Sequence, residues 1–140
     1  MRTCYKEGFY VTPRSEAEIR NFAEQFRIHR YYLSIPLNIN DLNNIEEGIL
    51  WEDIKFEEYE ITKSDYDNLF NLFCQFDKPF DIVIDEYEEE IILAPHIQKA
   101  IEMTEQYAEK ASLEIQNSAN KFLAVLKRAN ELGKQILLSF

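Results

Sequence analysis

At 140 residues, 46% apolar and 14% aromatic, the chain has the length of one domain and enough apolar material for a core, which excludes disorder by composition. The formal net charge is −11. Residues 41–90 carry 17 acids against Lys55, Lys63 and Lys78, a net of −14, whereas residues 1–40 are +2 and residues 91–140 are +1; this balance argues against nucleic acid and anionic membrane as direct partners, because both are held by clustered Lys and Arg.

Residues 3–12, TCYKEGFYVT, are β-branched and aromatic and predict a strand or hairpin around Gly8. Pro13 ends it, and Ser15-x-x-Glu18 is a capping-box pattern. Ile19, Phe22, Phe26 and His29 then share one face of a helix from about Glu16 to Tyr31 or Tyr32. Residues 33–48 hold Pro36, four asparagines and Gly48, and predict a loop with a short strand around Ile35–Ile39. Residues 49–61 alternate, but the apolar parity changes between Phe56 and Tyr59, which calls for a β-bulge or two strands. Ser64 is placed to cap a second helix, about Asp65 to Phe76, with Cys74 on its apolar side and Pro79 beyond its end. FDIVID and EEIILA predict a hairpin over 80–94, tipped at Asp85 to Glu89.

After Pro95 an apolar seam runs at steps of four and three from Ile97 to Leu132, and Gly133 is placed as a C-terminal cap. A straight helix of about 36 residues would span about 55 Å, whereas a domain of this size is about 35–40 Å across. The helix must therefore bend or break near Asn117-Ser118-Ala119-Asn120, or pack its overhang on a second copy. The seam residues Ile101, Ala108, Ile115 and Phe122 would make that homodimer. KQILLSF predicts a short final strand. The fold class expected is α+β, one domain over 1–140. A small, mainly antiparallel sheet is packed by two or three helices, with a long C-terminal helix and the short final strand.

The densest charge is Asp85, Glu86, Glu88, Glu89 and Glu90, broken only by Tyr87. The run lacks the glycine and the alternating ligands of a calcium loop. Carboxylates at a wet hairpin tip are also a poor acid–base pair. His29 and His96 belong to no zinc or triad pattern. No catalytic residue, metal or cofactor is assigned. The alternatives left are a solvated turn that guards sticky strands and a docking surface for a basic protein. For docking, Glu52, Asp53, Glu57 and Glu58 join Asp85 to Glu90, with Tyr87 as the exposed aromatic. Trp51, Phe56, Tyr59 and Tyr66 are read mostly as core. No stretch approaches the roughly 18 apolar residues of a membrane span, and MRTCYKEGFYV has no signal-peptide core. Cys4 and Cys74 show no paired spacing, so a reduced, cytoplasmic protein is expected.

An acidic middle, an apolar pair of strands over 82–93, a long helix and a final ILLSF strand together resemble the small immunity proteins that neutralise bacterial toxins. The resemblance implies a non-enzymatic inhibitor of a basic toxin or nuclease. Phage inhibitors that imitate nucleic acid share the charge signature, but a full mimic spreads its carboxylates at about one per 1.7 Å of duplex axis. Acids confined to one third of the chain fit a patch better.

Overall fold

The computed structural model describes residues 29–45 and 48–140. The strand expected over 3–12, Cys4, the helix from Glu16 to residue 28, and Glu46 and Glu47 lie outside the described residues. Among the described residues four strands form one antiparallel sheet: β1 (Tyr31–Pro36), β2 (Phe56–Ile61), β3 (Glu89–Ile92) and β4 (Ile136–Ser139), in the order β2-β1-β4-β3. Among the described residues four helices complete the α+β fold: α1 (Lys63–Gln75), the single turn α2 (Asp77–Phe80), α3 (Ile97–Glu109) and the long α4 (Leu113–Leu132).

The final strand forms as expected, but as a central strand flanked by β1 and β3. Its residues Ile136, Leu137, Leu138 and the following Phe140 are all buried. On its helix side the sheet presents Tyr31, Leu33, Ile35, Ile61, Ile92, Ile136 and Leu138 to Leu69, Phe73, Phe76, Phe122 and Leu126. On the other side Leu42, Ile54 and Leu137 form a second, smaller cluster with Phe56 and Ile91 around them. That second cluster explains the parity change in 54–61. β2 pairs with β1 in unbroken register from Tyr31↔Ile61 to Pro36↔Phe56, so there is no bulge; Phe56 and Tyr59 serve different cores. Trp51–Asp53, read as strand, is a 3-10 turn.

Tyr31 and Tyr32 belong to β1 and not to a helix. The period-two run Tyr31, Leu33, Ile35 finds neighbours on both sides, and that pairing outweighs the helical spacing that precedes it. The loop around 37–55 is tied down by polar bonds. The Leu42 N–H donates to Gln135 Oε1 at 2.5 Å, and the Asn38 side chain bridges Asp53 O and Lys55 N–H.

α1 starts two residues earlier than Ser64 implied. Thr62 is its N-cap, in a reciprocal capping box with Asp65. Cys74, expected inside, is exposed. Pro79 does not end the helical path at once; it sits in the one-turn α2, where its missing N–H costs no bond. The hairpin over 80–94 does not form. Ile82–Ile84 is not a strand, and β3 pairs with β4 instead, from Glu89↔Ser139 to Ile92↔Ile136.

The long seam is broken, at Lys110–Ser112 and not at 117–120. Ser112 caps α4, and the Gln116 amide donates to Ala108 O and Ala111 O at the end of α3. The two helices fold back on each other, linking Gln98 to Asn130 and Glu105 to Lys127. Ser118, which looked like a weak point, is buried and satisfied. Its hydroxyl donates to Asp65 Oδ1 at 2.7 Å and accepts from Asn68 at 3.1 Å. Gly133 ends α4 at φ 66°, as expected. Among the described residues no helix is long and apolar enough to cross a membrane.

Asp65 links these pieces. Its Oδ2 accepts from the Thr62 N–H at 3.1 Å and from Lys121 Nζ at 3.0 Å, so one carboxylate caps α1 and ties it to α4. Burial would raise its pKa, but the Ser118 hydroxyl, the Thr62 amide and Lys121 together hold it below the usual carboxylate value. A depressed folded pKa gives stability that is present above the unfolded value and lost as pH falls through the folded one. Asp65→Asn is expected to cost about 1–3 kcal/mol in urea unfolding at neutral pH. The variant should then lose less stability than wild type as the pH is lowered; parallel acid limbs would contradict this role.

Candidate functional site

Among the described residues β3 is one edge of the sheet, and the acidic run leads into it. The six residues therefore have separate environments. Asp85 is exposed, and its Oδ1 accepts the Glu86 N–H at 2.8 Å. Glu86 turns inward: it accepts the Tyr31 hydroxyl at 2.5 Å and lies 3.6 Å from Lys63 Nζ. Burial, then the bond to Glu86, pushes the Tyr31 phenol up, so it remains the donor. Glu86 is thus tied to Tyr31 and Lys63. Glu88 and Glu89 are exposed, whereas Glu90 is half-buried and accepts the Val83 N–H at 3.3 Å.

Tyr87 is 79% exposed and has φ 65°. The left-handed region is unfavourable for a side chain of this size, by about 1–2 kcal/mol. Two contacts hold it there: its N–H donates to Phe140 O at 2.5 Å, and its ring lies 4.5 Å from that of His29. A large apolar ring is thereby displayed to solvent on a strained backbone.

Beside β3 opens a groove of about 570 Å³. Trp51 and Leu42 from the 37–55 loop line it together with Phe80, Ile82, Ile91 and Leu93. His96, stacked on Phe80 at 4.9 Å, lies at the end. Asp81, Glu89 and Glu90 supply the charge. Trp51 is 48% exposed, so the rim is aromatic as well as acidic. Glu52 and Asp53 are exposed on the same 3-10 turn as Trp51. Among the described residues, no cation lies within ion-pair distance of Asp81, Asp85, Glu88 or Glu89.

Glu57 and Glu58 do not join this group. They sit on β2, the opposite edge, three strand spacings or about 14 Å across the sheet. Arg128 grips the Glu57 carboxylate with two bonds, at 2.8 and 3.1 Å, and Tyr59 donates to it as well. These bonds hold its pKa down at about 2 and neutralise its charge locally. Glu58 is exposed on the open face, on the side of the sheet away from Arg128. Of the seam residues, Ile101 and Phe122 are core, Ala108 packs on that core and Ile115 is half-buried. The seam faces inward within one copy.

Sequence reasoning singled out Tyr87 correctly as exposed but placed Trp51 with the core-leaning aromatics. Asp81, Val83 and Leu93 were not singled out either, although Val83 is 59% exposed. No local signal marks them, since their role depends on β3 leaving the expected hairpin. Among the described residues, no group of three or more His, Cys, Asp or Glu side chains is placed to hold a metal ion. Comparison with protein-family models, curated proteins and solved structures gave no match.

Tyr87→Gly relieves the left-handed strain at the loss of one ring contact. Its melting temperature is expected to be no lower than that of wild type in a thermal unfolding scan. A drop of several degrees would mean that Tyr87 is displayed for the fold's sake and not for a partner's.

Proposed function

We propose that this chain is a non-enzymatic inhibitor of immunity type, which captures a basic protein partner through the acidic groove at the β3 edge. One observation supports the reading above the others. Asp81, Asp85, Glu88 and Glu89 have no counter-charge among the described residues; Asp81 and Glu89 line the groove with exposed Trp51, and Asp85 and Glu88 lie on either side of exposed Tyr87 in the chain. Charges so placed speed encounter with a basic surface. The aromatic rings give the buried anchors that hold it. A device for solubility would not need an apolar groove at its centre, nor a tyrosine kept in a costly conformation.

The partner is obtained by retention on the immobilised chain from cells that make it naturally. Association is then measured for wild type, for Asp85→Lys/Glu88→Lys/Glu89→Lys, and for Glu57→Gln at the other edge. Glu86 is spared because it holds Tyr31. The triple variant should associate about tenfold more slowly at low salt and show a flatter salt dependence. Glu57→Gln should leave the rate unchanged. Equal rates for wild type and the triple variant would contradict the proposal.

A further inference from the structure

We infer that the free edge of β3 receives an extended basic segment of the partner as a fifth strand, in the antiparallel sense, with the local order apolar, cation, cation. The inference deepens the reading just given and rests on it.

The phase of the ladder is set by the Phe140 N–H donating to Glu88 O. Antiparallel pairs alternate between bonded and non-bonded positions. Glu90 and Ile92 therefore turn their backbone groups toward β4, and Glu89 and Ile91 turn theirs outward. Among the described residues, no backbone group bonds to Glu89 or Ile91 on that side. The segment Ile82–Ile84 runs past without pairing, and its link to β3 is the Val83 N–H on the Glu90 carboxylate. The groove of about 570 Å³ lies between the two. Among the described residues, a place for a strand is thus open and bordered by unpaired donors and acceptors.

Exposed edges are commonly blunted by short length and by charged side chains. This one is four residues long and carries charge of one sign, Glu89 and Glu90 after Glu88. A second copy laid along the edge would set like charges against each other, which is destabilising. A cationic strand would be drawn in. Side chains of an added strand line up with those of β3 on the same face. The residue opposite Ile91 meets Leu42, Trp51 and Leu137, so it is apolar. Those opposite Glu90 and Glu89 meet carboxylates on the two faces, so both are cationic.

The probe is an end-blocked decapeptide with a central Val-Arg-Arg among Ser and Thr. It is titrated calorimetrically into the full chain beside an Arg-Val-Arg isomer and a copy methylated on the valine amide nitrogen. Ile91→Pro removes only an outward donor, because that N–H does not face β4. The N-methylated peptide tests the same bond with the protein untouched. Ile91→Pro, the isomer and the methylated copy should each bind about tenfold more weakly than the ordered pair. The Glu89 and Ile91 amides should exchange fast in the free chain and slow with the peptide. Equal binding of all three peptides, lost only in the Asp85/Glu88/Glu89 reversal, would overturn strand addition and leave capture by the acidic surface standing. Absence of binding by the ordered peptide would overturn it too, as would amides at Glu89 and Ile91 already protected in the free chain, which would mean the edge is filled by another part of this chain or by a second copy.

Discussion

The strand Ile136–Ser139 determines the form of this protein because it lies between β1 and β3. Its side chains are almost wholly removed from water on both faces. Leu138 and Ile136 meet the helices, and Leu137 meets the smaller cluster under the 37–55 loop. Once β3 pairs with this strand, it cannot be the second arm of a local hairpin in the middle of the sheet. It becomes an edge, and the acids that precede it are carried to the rim of the molecule. The open edge, the groove and the displayed tyrosine all follow from that pairing.

The helices answer a different constraint. A buried carboxylate is tolerated only when its lone pairs are occupied. Asp65 meets that condition through Thr62, Ser118 and Lys121, taken from two helices. The same atoms fix how α1 lies on α4. Glu57 and Arg128 repeat the pattern at the surface, tying β2 to α4. Part of the negative charge is therefore structural, at Asp65, Glu57 and Glu86.

Local pattern made some of this legible in the sequence. The apolar run after Gly133 marked the final strand, the Ser/Thr-rich start of 62–65 marked a helix, and the count of acids marked the middle third. Pairing was not legible. EEIILA has a sequence neighbour in FDIVID and a spatial neighbour some 45 residues on, and only the buried area of the finished sheet decides between them. The break in the long helix was misplaced for a related reason. The four-and-three spacing continues through Lys110–Ser112, while the partners that satisfy Ser118 are 50 and 53 residues away. The acid clusters at 57–58 and 85–90 read as one surface in the sequence and lie on opposite edges in the fold.

The central claim is that of two acidic edges, only the β3 edge takes the partner. Hydrogen exchange of the whole chain, alone and with its retained basic partner, separates them directly. Slower exchange is predicted at Glu88–Leu93 and around Trp51, with no change along Phe56–Ile61. Protection along Phe56–Ile61 with Glu88–Leu93 unchanged would contradict the account.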